Sequence, residues 1–352
     1  MKIFALAAGC GALLAVMGAS ALAAPPAATD AWHVTQHYQI GGSGRWDLLT
    51  LDQAAQRLYV SRSDRVVVLD AKNGRQVGEI DGLSGVHGIA LADSPHRGFI
   101  SNGRANTVSV FDPDTLKVEQ TIAVGAQDPD TILYDAFSHR VFTFNGDSND
   151  ASVIDAANGK LLGHIALPGG PEFAVSDGHG HVFDNIESKD ELVEIDPVAM
   201  RVTAVWPLHD CKRPTGLAID VAHHRLFSVC QNKLMAVTDS TNGKAIASVP
   251  IGEGPDAACF DDKREFVFSS NGRSGTLTVA HEDDPDHYRV LANIPTQTSA
   301  RTMALDQATG HVFLSAAELG PRPEPTATDP HPRPTVKPGS FTILEVTSAV
   351  RN

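Results

Sequence analysis

Positive charge is scarce in this chain. It carries 28 lysines and arginines against 42 aspartates and glutamates, a formal net charge of −14. A surface this acidic gains no counterion-release energy from a polyphosphate, which argues against nucleic acid as a partner. Cysteine is sparse too, at four residues. No CxxCH haem-attachment site, paired CxxC zinc site, phosphate-binding glycine loop or serine-nucleophile motif occurs in the sequence. Beyond residue 24 no apolar run approaches the ~20 residues needed to span a bilayer, so no membrane anchor is expected.

The first residues read as a processing segment. Lys2 is a minimal basic start, Ile3 to Met17 is apolar, and Ala21-Leu22-Ala23 is an A-x-A cleavage site. Cleavage after Ala23 keeps Pro25 away from the scissile bond. The apolar run before Cys10 is too short for a lipoprotein signal. The expectation is a cleaved signal peptide over 1–23 and one domain over 24–352, exported to the periplasm.

What the chain has in abundance is a repeat. Asp128-Pro129-Asp130-Thr131-Ile132-Leu133-Tyr134-Asp135, Gly170-Pro171-Glu172-Phe173-Ala174-Val175-Ser176-Asp177 and Gly254-Pro255-Asp256-Ala257-Ala258-Cys259-Phe260-Asp261 share a Pro-acid opening, an apolar run and a closing Asp. Looser copies close at Asp52, Asp93, Asp220 and Asp306. A period of about 42 residues with strand-like content is the mark of a propeller blade. Each copy divides into strands a to d. Strand a is apolar on both sides, as in Ile89-Ala90-Leu91, which suits a strand buried on both faces. Strand d alternates, as in Lys117-Val118-Glu119-Gln120-Thr121-Ile122, which suits a solvated outer edge.

Seven a strands are counted, but the last copy lacks a d strand. The N-terminal run His33 to Ile40 is expected to supply it and close the ring. The fold class is therefore an all-β, seven-bladed β-propeller of four-stranded antiparallel blades. Asp70, Asp112, Asp155, Asp196 and Asp239, at the ends of c strands, read as turn caps rather than catalytic acids. Asn102-Gly103, Asn145-Gly146 and Asn271-Gly272 read as hairpin turns needing positive φ.

Arg57-Leu58-Tyr59-Val60-Ser61, Thr107-Val108-Ser109-Val110-Phe111-Asp112 and the Gly-x-x-Pro starts resemble YVTN-type repeats. The mature chain as a whole resembles the exported YncE-like seven-bladed β-propellers. That resemblance implies the fold. It does not imply one activity, because relatives of this architecture include binding proteins, amine dehydrogenase heavy chains and lactonases.

Function is sought where the repeats differ. The position at which each d–a loop meets the central channel holds Asp47, His87, Asp130, Glu172, Thr215, Asp256 and Arg301 in ring order. All seven are polar, above an expected apolar throat of Leu49, Ile89, Ile132, Ala174, Leu217, Ala258 and Met303. The collar is the candidate ligand-binding mouth. His87, Asp130 and Glu172, with Asp47, are candidate ligands for a divalent metal ion. Asp130 and Glu172 are candidate catalytic acids sharing a proton. Arg301 is placed to hold an anionic group or to neutralise Asp256 and Asp47.

Three further departures stand out. Residues 316–339 form a proline-rich insertion between strands b and c of the last blade, on the collar end, where Glu318, Arg322 and His331 could complete a pocket. Cys211 and Cys230 flank adjacent strands of blade 5 at the same end and are expected to form a disulfide, with Cys259 left as a small core residue. Arg45, Arg62, Arg104, Arg213 and Arg273 fall near the collar end and would make its rim basic, and Trp46 could wall it. His281 to His287, at the far end, reads as a solvated acidic turn.

Three functions remain open. One is a monomeric periplasmic protein binding a small anionic ligand, a metal or a partner protein at the mouth. Another is a metal-dependent hydrolase or lyase of the propeller-lactonase type. The last is a partner subunit of a periplasmic redox enzyme.

Overall fold

The computed structural model describes residue 1, residues 32–326 and residues 332–348. The expected signal peptide, apart from Met1, and His331 lie outside the described residues. Seven four-stranded antiparallel sheets stand around a central channel. Blade 1 runs from strand a at Trp46–Asp52 to strand d at Gln76–Ile80, and blade 6 from Pro255–Asp261 to His287–Pro295. Blade 7 takes its first three strands, Thr302–Leu305, Val312–Ala316 and Thr342–Ser348, from the C-terminal end and its fourth, Trp32–Gln39, from the N-terminal end. That closure runs from the Trp32–Ser348 pair to the Gln39–Thr342 pair. Trp32 anchors it by packing edge-on against Phe266 and Phe268 of blade 6.

The burial pattern follows the expected radial order. Strand b of blade 4, Val182–Ile186, is buried throughout, whereas strand d of the same blade, Arg201–Pro207, alternates exposed and half-buried. Apolar clusters fill the wedges between blades; Phe142, Phe144 and Val153 of blade 3 meet Ala174, Val182 and Ile186 of blade 4 in one of them. The residues expected to line an apolar throat are spent here. Leu49, Ile89, Ile132, Ala174, Leu217, Ala258 and Met303 are all buried within these inter-blade clusters.

The turn aspartates behave as caps. Asp112 Oδ1 accepts the N–H groups of Asp114 and Thr115, and Asp196 Oδ1 those of Val198 and Ala199. The closing aspartates of strand a do the same, as Asp52 does for Ala54 and Ala55. Cys211 and Cys230 are joined, with Cα atoms 5.3 Å apart.

The Asn-Gly pairs correct the sequence reading. Gly103, Gly146 and Gly272 do not have positive φ; that conformation falls later in each turn, at Asn106, Asn149 and Gly275. The asparagines are buried clasps: Asn102 Nδ2 donates to Ser109 Oγ, Asn145 Nδ2 to Ser152 Oγ and Asn271 Nδ2 to Thr278 Oγ1, tying strand b to strand c. The glycines provide space. A Cβ on Gly103 would lie 2.3 Å from Asp128 Oδ1 and 2.6 Å from His87 Nε2, and one on Gly272 would lie 2.7 Å from Arg301 Cβ. Two of the three glycines therefore exist so that collar side chains fit.

Candidate functional site at the channel mouth

A shared backbone irregularity positions the collar. In blades 1 to 6 the a–b ladder shifts register near the start of strand a, between Trp46 and Leu49, Val86 and Ile89, Pro129 and Ile132, Pro171 and Ala174, Pro214 and Leu217, and Pro255 and Ala257. Asp47, His87, Asp130, Glu172, Thr215 and Asp256 fall inside those breaks. A register break frees one or two residues from the ladder and re-aims their side chains. In blade 7 Arg301 sits immediately before strand a. Hydroxyls then pin the collar backbone across blades: Ser101 Oγ donates to Asp130 O (2.5 Å) and Thr302 Oγ1 to Asp47 O (2.6 Å).

The side chains form an alternating chain of charge. Arg301 donates to Asp256 through Nη1 and to Asp47 Oδ1 (3.1 Å) through Nη2. Asp47 Oδ2 is 2.7 Å from His87 Nδ1, which lies 3.3 Å from Asp130 Oδ1, while His87 Nε2 lies 3.5 Å from Asp128 Oδ1. One ligand atom from each of Asp47, His87 and Asp130 lies within 4.8 Å of the other two. Glu172 stands outside that group and makes no side-chain hydrogen bond or ion pair among the described residues. Thr215 is buried, its hydroxyl turned to the carbonyls of Val229 and Pro255, so its role is to staple blades 5 and 6.

Electrostatics follow from this crowding. Burial opposes charge on His87, but the carboxylates of Asp128, Asp47 and Asp130 outweigh it and push its pKa up to about 11. Burial pushes the Asp130 carboxyl up to about 7; His87 offsets part of this, and Asp47, Asp128 and Asp256 add to it. Burial, then Asp130 and Asp256, hold Glu172 well above the carboxylate range. Asp47 resists its own burial and stays below its ordinary value because Arg301 and His87 flank it. Near neutral pH Arg301 and His87 are therefore charged, Asp47 is ionised between them, Asp130 is close to its own titration, and Glu172 holds its proton more tightly than an ordinary glutamate.

The proline-rich segment reaches over this collar. Its two limbs pair through the Leu319–Val336 bridge, with Gly320 N–H donating to Thr335 O and Lys337 N–H to Glu318 O. Arg45 holds it down by donating to Pro334 O (2.8 Å). Beneath lies a cavity of about 420 Å³ whose walls include Arg45, Trp46, Asp256, Arg273, Arg322 and Arg333. A second hollow of about 280 Å³ adjoins it, sharing Arg45, Trp46 and Arg333 and adding Asp47, His87, Arg104 and Asp128.

Of the expected mouth residues, Arg322, Trp46, Arg45, Arg104 and Arg273 line these hollows. Glu318 pairs with Lys337 (2.7 Å) on the outside of the segment. Arg213 pairs with Glu187 (2.7 Å). Arg62 is buried, stacked on Phe341 and donating to the carbonyls of Gly41, Ser43, Gly44 and Arg45, so it braces the N-terminal crossing. Two mouth residues escaped the sequence reading. Asp128 precedes the proline of its repeat, two residues before the compared position. Arg333 lies in an insertion with no counterpart in other blades, and nothing short of its proximity to Pro334 and Arg45 would have placed it.

Comparison with known proteins agrees with this architecture. No protein-family model matches the chain. It is 22% identical over 296 residues to the protein YncE of Salmonella typhimurium, covering 80% of this chain and 71% of that protein; YncE of Salmonella typhi matches to the same extent. At that identity the chain resembles YncE over most of its length. Among solved structures, Kuenenia stuttgartiensis hydrazine synthase superposes with a TM-score of 0.69 at 15% identity, covering 80% of this chain and 94% of that one. The WD40 repeats of RRP9 superpose at 0.71 and 11% identity, covering 91% and 98%. These two likenesses establish the propeller fold and carry no function across. The disulfide is compatible with a secreted protein.

Proposed function

We propose that this is an exported, periplasmic binding protein that holds a small anionic ligand at the channel mouth. The observation that carries the reading is the cavity of about 420 Å³ between the collar and the proline-rich segment, walled by Arg45, Arg273, Arg322 and Arg333. Among the described residues, Arg322 and Arg333 make no ion pair, and Arg333 is exposed towards the hollow. Arg301 is already engaged by Asp256 and Asp47, so it orders the floor of the site rather than meeting the ligand. Guanidinium groups suit carboxylate or phosphate oxygens because their planar forks donate in pairs. The cavity is of the size that small ligands fill.

The test is a thermal-shift panel of small carboxylates and phosphates against the purified protein and an Arg322→Ala/Arg333→Ala double variant. At least one anion should raise the melting temperature of the parent and leave the variant unmoved. The reading fails if no anion stabilises the parent, or if the variant responds equally. N-terminal sequencing of exported protein checks the leader, with Ala24 expected as the first residue.

A second reading, a metal-dependent hydrolase or lyase, draws support from the approach of Asp47, His87 and Asp130. A cation there would first have to displace the proton that three carboxylates hold on His87. Chelator-removable metal that disappears in Asp130→Asn would favour it over the binding reading.

A further inference from the structure

The end of the propeller opposite the mouth carries a second cluster, built by two blades. Strand a of blade 5 (Pro214–Asp220) ends on Asp220, and the turn after it supplies His223. The long third strand of blade 6 (Thr276–Asp284) supplies Glu282. His223 Nδ1 lies 2.6 Å from Asp220 Oδ2 and 3.4 Å from Glu282 Oε1. One ligand atom from each residue lies within 4.8 Å of the other two.

The expected solvated turn over His281 to His287 holds at its tip, where Asp283, Asp284, Asp286 and His287 are exposed, but Glu282 departs from it. Its side chain is 1% exposed, and neither carboxylate oxygen has a hydrogen-bond partner among the described residues. A single Nδ1 proton serves one carboxylate, and Asp220, the closer, takes it. Glu282 is left as a buried acceptor aimed at the cluster with nothing to accept from, an arrangement proteins avoid.

The surroundings are firm. Asp220 Oδ1 is committed to the N–H groups of Ala222 and His223, which leaves Oδ2 directed at the cluster. Arg225 of blade 5 grips the blade 6 hairpin by donating to Pro285 O (2.7 Å) and Asp286 Oδ1 (2.9 Å). Phe227 packs edge-on against Tyr288 of the same hairpin.

We propose that Asp220, His223 and Glu282 form a divalent metal site, best matched to zinc, that ties blade 5 to blade 6. One imidazole nitrogen and two carboxylates are a ligand set for a borderline ion rather than for magnesium or calcium. The observed spacings of 2.6 and 3.4 Å straddle the roughly 3.3 Å that separates neighbouring ligands on a tetrahedral ion with bonds of about 2.0–2.2 Å. A bound dication would satisfy both carboxylates at once, which one proton cannot do. His223 is 40% exposed, so the ion can enter from solvent and water can complete its coordination.

The experiment is titration of the chelator-stripped protein with Zn²⁺ at neutral pH, with Co²⁺ absorption as a report on the ligands. One equivalent of Zn²⁺ should bind and raise the melting temperature. Glu282→Gln should weaken binding by at least about tenfold, since an anionic carboxylate ligand is replaced by a neutral amide. His223→Gln should abolish the tetrahedral Co²⁺ bands, and it provides the reading if the first variant does not fold. Asp130→Asn at the mouth and a His281→Ala/His287→Ala variant of the outer hairpin should bind Zn²⁺ like the parent. The proposal is overturned if the parent binds no Zn²⁺, if the Glu282 and His223 variants bind normally, or if the loss follows the mouth or the outer hairpin instead.

Discussion

His87 concentrates the electrostatics of the mouth in one side chain. Its folded pKa of about 11 lies above the ordinary 6.5, so its charge contributes stability that is complete below pH 6.5 and is lost as the pH rises through 11. His87→Gln should therefore be destabilising at pH 6, with a cost that shrinks towards pH 11, as read by urea melts across that range. Asp130 acts in the same sense over a lower window. Its folded pKa of about 7 lies above 3.8, so the stability tied to its proton is full below pH 3.8 and gone once the pH has passed 7. Asp130→Asn should leave the melting temperature unchanged near pH 4 and raise it near pH 8. Gly103→Ala tests the space kept for this pair: its Cβ would push into Asp128 and His87, so the His87 pKa, followed by NMR titration, should fall. Much of this was legible. The alternation of Arg301, Asp47, His87 and Asp130 came from comparing equivalent positions, because subtracting the scaffold leaves only what varies. Asp128, Arg333 and Glu282 were not legible: Asp128 opens its repeat two residues before the compared position, Glu282 follows the usual end of a c strand, and Arg333 lies in an insertion with no counterpart in other blades.

At the scale of elements, the blades needed only period and polarity; the d strand read at Lys117 to Ile122 is Val118–Ala123 in the structure. The register breaks were hidden. A Pro-acid opening says that a strand starts, but not that the ladder slips there and turns the acid into the channel. The N-terminal strand is the element with most at stake. Deleting residues 24–40 would leave one edge of Thr342–Ser348 unpaired and uncover the blade 6 aromatics that Trp32 covers. The deleted protein should aggregate and melt earlier, as scored by light scattering during a thermal ramp; a monomer with an unchanged melt would refute the closure. The Cys211–Cys230 bridge closes a separation of 19 residues, for which loop entropy gives about 3 kcal/mol. Denaturant melts with and without reductant should differ by about that amount.

The whole molecule sets an acidic body against a basic lip. A chain of net charge −14 would repel anions at a distance, yet five arginines, one of them the already paired Arg301, line one cavity at the mouth. The fold supplies the contrast: seven loops converge on one end, and an insertion in the closing blade crosses above them. Nothing in the propeller architecture itself demands that insertion, so its arginines are the most individual feature of this chain. Because they lie at the solvent edge, their pull on an anion should weaken as salt shortens the Debye length from about 30 Å at 0.01 M to about 8 Å at 0.15 M. The most direct measurement is calorimetric titration of the purified protein with a small di- or tricarboxylate at those two salt concentrations, beside the Arg322→Ala/Arg333→Ala variant. Saturable binding to one site, weaker in salt and at least about tenfold weaker in the variant, is the predicted result. Absence of saturable binding at low salt, or equal affinity in the variant, would contradict an anion site at the mouth.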